Sequence, residues 1–193
     1  TRTSSRHMPI CAVAVILPAV RFSGTLHAML RIRRFEERDW TATWNIIEPV
    51  FRTGETYPYS SDITEEEAYR AWIEQPAATY VAIDNDEHVT GSYYIKPNQP
   101  GLGSHVSNCG YIVGEGARGK GVASAMCEHS QREAITQGFR AMQYNLVVST
   151  NEAAVRLWKK QGFEVIGTLP GAFRHQRLGL VDAYVMFKQL VTS

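Results

Sequence analysis

Apolar and basic side chains alternate over residues 29–34 (MLRIRR), the period-two pattern of a half-buried strand. Trp40, Trp44, Ile47 and Phe51 then recur at helical spacing and predict a helix over residues 37–52, with one face buried and Gly54 at its end. GETYPYSSD is a loop rich in turn formers. Asp62 or Thr64 caps a second helix, whose first turn carries the acids Glu65, Glu66 and Glu67 and which Pro76 stops. Those acids also fit a plain solvated turn. Residues 80–83 and 89–95 read as a hairpin joined through Asp84-Asn85-Asp86. KPNQPGLGSH is a longer loop before a strand over residues 108–113. GEGARG leads into a helix reaching about Gly138, and its small residues Ala123, Cys127, Ser130 and Ala134 form one face able to lie close on a sheet. A strand over 141–148, a helix over 152–161 ended by Gly162, and strands over 165–169 and 181–187 complete the chain. This order indicates one α/β (α+β) domain with a mixed sheet.

With 193 residues and 44% hydrophobic content, the chain is long enough for one sizeable core. A formal charge of +1 gives no global electrostatic argument for nucleic acid. Cys11, Cys109 and Cys127 stand far apart, in no spacing that suggests zinc or a disulfide framework, and read as small buried hydrophobes of a reducing, cytoplasmic compartment. No metal is expected. Residues 1–28 imitate a secretory signal, with Arg2 and Arg6 before the run PICAVAVILPAV. At about 12 residues, broken by Pro18, that run is too short to span a bilayer. The segment reads as a leader or N-terminal extension, with residues 10–17 a candidate extra edge strand, and residues 29–193 read as the single domain. No membrane association is expected.

The stretch GEGARGKGVA, residues 114–123, fits three loop patterns. Gly114-x-Gly116-x-x-Gly119 spells a dinucleotide-binding turn, but the next strand ends LVVS, without the acid that would hold a ribose. Gly114-x-x-x-x-Gly119-Lys120 approaches a P-loop, but Gly121 stands where a Ser or Thr hydroxyl would ligate magnesium. Arg118-x-x-Gly121-x-Ala123 fits a pyrophosphate loop at a helix N-terminus, where N–H groups and the dipole favour an anion.

The third reading has support outside the loop. A branched strand precedes it, and about 30 residues later stands Asn151-x-x-Ala154-x-x-x-Trp158-x-x-x-Gly162-Phe163. Together these segments resemble the GNAT superfamily of acyl-CoA N-acyltransferases, a likeness covering roughly residues 30–190. The resemblance implies a mixed, mostly antiparallel sheet with two splayed parallel strands and helices on both faces. It implies acetyl-CoA as cosubstrate, its pantetheine pairing with free backbone groups near Ile112 and Val113. Arg118, Gly119, Lys120, Gly121, Val122 and Ala123 would wrap the pyrophosphate. Asn151 would anchor the pantetheine arm, and Ala154 and Trp158 would line the channel. Asn151 also fits a plain helix cap, and Trp158 a core aromatic.

Many members of that superfamily carry tyrosine where this chain has Trp158, whose indole cannot supply a proton in the same way, and the strand over 108–113 has no carboxylate base. GETYP, YIKPN, Ser104-His105-x-x-Asn108 and YNLVVSTN are similar to the fungal proline-analogue (azetidine-2-carboxylate) acetyltransferases and their bacterial-type relatives. That likeness implies substrate binding and polarisation by Asn108 and Asn145, with the Leu146 N–H a candidate oxyanion donor. Tyr57, Tyr59 and His105 are candidate acceptor contacts. Each has a duller reading: Asn145 pairing backbone across the splay, Asn108 a turn residue, His105 a solvated loop residue, the tyrosines a packed loop. Asp182 is expected in a surface pair with Arg174 or Arg177. The expected activity is acetyl transfer from acetyl-CoA to a small-molecule amine, an amino or imino acid-like acceptor, by direct attack in a ternary complex. A protein-amine acetyltransferase and a catalytically weak acetyl-CoA sensor are the alternatives, and a homodimer is left open.

Overall fold

The computed structural model describes residues 30–191. The candidate edge strand over residues 10–17, Cys11 and the boundary at residue 28 lie outside the described residues. Seven strands form one sheet: β1 (Arg31–Arg34), β2 (Ala78–Ile83), β3 (Val89–Pro97), β4 (Val106–Val113), β5 (Ala141–Val148), β6 (Glu164–His175) and β7 (Gly179–Gln189). Their spatial order is β1-β2-β3-β4-β5-β7-β6. Only β4 and β5 run parallel; every other neighbouring pair is antiparallel. Four helices cover the sheet: α1 (Trp40–Thr53), α2 (Glu65–Tyr69), α3 (Val122–Thr136) and α4 (Glu152–Lys160). Among the described residues no helix is long and apolar enough to cross a membrane.

The helical period of Trp44, Ile47 and Phe51 places all three in one buried cluster with Trp72, Tyr94 and Ile112. On the other face, Met126, Cys127 and Ala134 of α3 pack with Tyr93, Met142 and Met186. The small-residue face of α3 is buried at Cys127, Ser130 and Ala134, while Ala123 is only half-buried. Thr64 rather than Asp62 caps α2, its hydroxyl accepting from the Glu67 N–H at 3.2 Å.

The main departure from the sequence reading is the C-terminal hairpin. β6 continues to His175, six residues past its expected end at Leu169. Its tip returns to the loop after α1, where the Gln176 N–H donates to the Gly54 carbonyl at 3.1 Å and Arg177 Nε meets Glu55 Oε1 at 2.6 Å. Gly54 ends α1 at φ 60°, and a Cβ there would lie 3.3 Å from Gln176 Cβ, so glycine serves both the turn and the approach. The expected Asp182 ion pair does not form: Asp182 Oδ1 accepts the Gly171 N–H at 2.9 Å instead, and Arg177 is engaged by Glu55.

Candidate active site

β4 and β5 begin as a parallel pair and then separate. Their ladder has the register pairs Val106↔Ala141 and Ser107↔Met142 and no more. At the next step Asn108 would oppose Gln143, and there the Asn108 side chain intervenes: its Nδ2 donates to the Gln143 carbonyl at 2.9 Å. Asn108 is 8% exposed, so this bond forms inside the structure. On its other edge β5 slips by one residue against β7, from Tyr144↔Met186 to Val147↔Tyr184. Asn145 and Leu146 therefore share one opposing residue and lie outside the β7 ladder, the signature of a bulge. A fork on one edge and a bulge on the other re-aim the same segment of β5.

The backbone parity of β4 follows from its partner. The Val106 carbonyl accepts from Asn98 N–H at 2.8 Å, and the Gly114 N–H donates to Thr90 O at 2.9 Å. Even-numbered residues thus point their main-chain groups at β3, whereas Cys109, Tyr111 and Val113 point theirs into the gap. This corrects one expected contact. Ile112 turns its backbone to β3 opposite Ser92 and buries its side chain beneath α1, leaving Val113 and Tyr111 as the free edge. The Tyr111 carbonyl is already engaged by Tyr57 Oη, which donates to it at 2.9 Å.

The gap opens into a cleft of about 290 Å³. It gathers Tyr57, Tyr59, Asn108, Asn145, Leu146 and Asn151, which the sequence singled out, together with Ala154 and Trp158. Trp158 is 8% exposed and packs its ring 4.9 Å from Tyr111 and 5.1 Å from Tyr144. Asn151 caps α4, its Oδ1 accepting from Ala154 N–H at 3.2 Å, and it lines the cleft as well. His105 is not in the cleft. It is exposed beyond the closed end of the fork, where its carbonyl accepts from Arg140 N–H.

Sequence reasoning missed Tyr94, Lys96, Asn98, Tyr111, Gln143 and Tyr144. Asn145 Nδ2 donates to Asn98 Oδ1 at 2.7 Å and its Oδ1 accepts from Gln143 Nε2 at 2.9 Å, so the exposed asparagine is held by side chains on both sides. YIKPN and YNLVVSTN were the signal, since both stretches contribute to this chain of amides. Burial pushes the phenols of Tyr57, Tyr111 and Tyr144 well above their ordinary range, so each is a hydrogen-bond donor and a very weak acid. Burial also raises the Cys109 and Cys127 thiols, which stay protonated and unreactive at neutral pH.

Beside the open end of the gap lies the loop before α3. Gly119 and Gly121 adopt φ 74° and 79°, conformations that favour glycine, and a Cβ on either would meet nothing within 4 Å. Among the described residues the N–H groups of Gly119, Gly121, Val122, Ala123 and Ser124 have no protein acceptor. Among the described residues no side chain caps this helix, and no acid sits in its first turn. Arg118 and Lys120 are exposed beside it, which makes a concave, positively polarised surface suited to a diphosphate. Asp84, Asp86 and His88 cluster at the β2–β3 turn, where Asp84 Oδ1 accepts the N–H groups of Asp86 and His88.

Comparison with known proteins agrees with this geometry. The acetyltransferase (GNAT) family model matches residues 30–163. N-acetyltransferase aca1 of Schizosaccharomyces pombe is 31% identical over 150 residues, covering 68% of this chain and 71% of its own. L-amino acid N-acetyltransferase AaaT of Escherichia coli is 34% identical over 165 residues, covering 80% and 94%. A solved GCN5-related N-acetyltransferase from Kribbella flavida superposes with a TM-score of 0.80 at 41% identity, covering 84% of this chain and 99% of its own. The same fold, at TM-score 0.74 and 20% identity over 85% and 95% of the two chains, occurs in yncA of Salmonella typhimurium, solved with acetyl-CoA.

Proposed function

Because the chain belongs to the acetyltransferase (GNAT) family, we propose that it moves the acetyl group of acetyl-CoA to the amine of a small amino or imino acid-like acceptor, by direct attack in a ternary complex. The observation that carries this reading is the gap itself. A fork latched by Asn108 leaves main-chain groups of Cys109, Tyr111 and Val113 facing β5, beside a loop with five unpaired N–H groups. The name of the Escherichia coli relative supports an amino acid acceptor.

In this reading the N–H groups from Gly119 to Ser124 hold the diphosphate, with Arg118 and Lys120 alongside. The Tyr111 and Val113 edge holds the pantetheine, Ala154 and Trp158 wall its channel, and the uncommitted Nδ2 of Asn151 reaches its amides. The thioester supplies the acetyl group. Asn108 Oδ1, which takes no donor among the described residues, accepts a hydrogen from the incoming amine, and Asn145 orients it. The Leu146 N–H, outside the β7 ladder, meets the charge that develops on the carbonyl oxygen. The amine forms the new C–N bond as the C–S bond breaks, and the proton leaving nitrogen ends on sulfur. Among the described residues no carboxylate lines the cleft, so the amine must enter uncharged. Burial keeps the Cys109 thiol and the Tyr111 phenol protonated, so neither is poised to act as an acylated nucleophile.

The test is release of free CoA from acetyl-CoA over a panel of amino acids, imino acids, simple amines and a lysine peptide, with product masses. CoA release and an N-acetylated amino or imino acid are expected. Acetylation of the peptide alone favours a protein-amine acetyltransferase, and binding of acetyl-CoA without turnover on any acceptor favours a sensor.

A further inference from the structure

We infer that Lys96 selects acceptors that carry a carboxylate beside the reacting amine. The inference rests on the acetyl-transfer reading above and adds to it the acceptor's charge. Among the described residues Lys96 is the only charged one lining the cleft, whose remaining walls are aromatic, amide and aliphatic apart from the Thr56 hydroxyl and the Cys109 thiol. Among the described residues it forms no ion pair and no hydrogen bond.

Its position is built. Lys96 is half-buried at the end of β3, and its Nζ stands 5.3 Å from the centre of the Tyr94 ring. That ring is seated over Gly110, where a Cβ would come within 2.6 Å of Tyr94 Cε1, so the glycine makes the space the aromatic platform fills. Lys96 and Asn108 are direct partners in the β3–β4 register and stand on one face, with Cβ atoms about 5 Å apart as in any such pair. An ammonium and an unclaimed amide oxygen therefore share one patch of the cleft. The first complements a carboxylate and the second an amine, and in an α-amino or imino acid a single carbon separates those two groups. An uncharged amine leaves the ammonium without an anion, and a cationic acceptor meets like charge.

The experiment pairs each L-amino acid, and azetidine-2-carboxylate, with its own carboxamide, which keeps shape and amine but removes the anion. Equilibrium binding to the CoA complex is read beside kcat/KM, so the result does not depend on turnover. The wild-type protein is expected to prefer the acid to the amide, and Lys96→Met to lower that preference roughly 10- to 100-fold, the range of one charge-assisted hydrogen bond. Lys96→Arg should keep the preference, and acetyl-CoA affinity should be the same in all three proteins. Equal affinity of the wild type for acid and amide overturns the inference, as does an equal loss on both in Lys96→Met. A preference for acids in binding with no CoA release overturns the transferase reading and leaves the carboxylate site standing.

Discussion

Replacing Asn108 with alanine removes the bond that holds the fork open. Its Nδ2 is 2.9 Å from the Gln143 carbonyl at the step where the parallel ladder stops. Without it, a half-buried acceptor loses its donor at a cost of about 1–2 kcal/mol, the lower part of the range for an unsatisfied group. For a domain of this size that corresponds to roughly 2–8 °C in melting temperature. The chain has one local way to recover: the Cys109 N–H faces β5 and can take the Gln143 carbonyl, which extends the ladder by one residue. The gap would then close by about 3.3 Å at its inner end, where the thioester and amine must meet, and leave the diphosphate loop untouched. Asn108→Ala is therefore expected to melt a few degrees lower, to bind acetyl-CoA within about threefold of wild type, and to lose at least tenfold in kcat. Thermal unfolding, calorimetric titration and steady-state kinetics on one preparation check the three together. A variant with unchanged melting temperature and unchanged turnover would refute the latch. One that loses acetyl-CoA affinity in proportion to kcat would show that the fork serves cofactor binding instead.

Other substitutions separate the remaining roles. Asn145 is exposed, so Asn145→Ala should alter stability by no more than about 0.5 kcal/mol while lowering turnover far more than acetyl-CoA affinity; unchanged turnover would confine Asn145 to its bonds with Asn98 and Gln143. Gly121→Ala forces a side chain into φ 79°, at about 1–2 kcal/mol, and puts a methyl group into the open space over the loop; acetyl-CoA should bind about tenfold more weakly by calorimetry, and equal affinity would move the diphosphate elsewhere. With both described thiols buried and protonated, rapid quenching with labelled acetyl-CoA and no acceptor should leave no protein-bound acetyl group; a trapped acetyl-cysteine at Cys109 or Cys127 would replace direct attack with a covalent route.

The parts legible in the sequence are those whose signal is local. Residues 141–148 were bounded correctly as β5 because apolar and branched residues run between a glycine-containing turn and a helix cap. The loop before α3 and its open N–H groups are legible because its glycines and the following helix lie within ten residues. β6 outruns its expected end because it is an edge strand with most side chains exposed on both faces, so no period of two survives in its composition, and Pro170 and Gly171 sit where its register slips. Lys96 and Asn98 escape a sequence reading for another reason: only the β3–β4 register brings Lys96 to the cleft and Asn98 to Asn145, a long-range fact. The same register decides that Val113 and Tyr111, and not Ile112, offer backbone to the gap. His105 misled because a histidine near Asn108 in sequence lies on the wrong side of the fork in space.

The central claim is that the gap between β4 and β5 holds acetyl-CoA and that the amine meets it at Asn108. A crystal structure of the protein with CoA and an N-acetylated amino acid tests this most directly. The account predicts pantetheine amides bonded to the Tyr111 and Val113 edge, diphosphate oxygens on the N–H groups from Gly119 to Ser124, and the product nitrogen at Asn108 with its carboxylate toward Lys96. Pantetheine laid instead along the groove of about 610 Å³ that Leu30, Ile46 and Val89 share with the loop residues Lys120, Gly121 and Val122, with the β4–β5 gap empty, would contradict it.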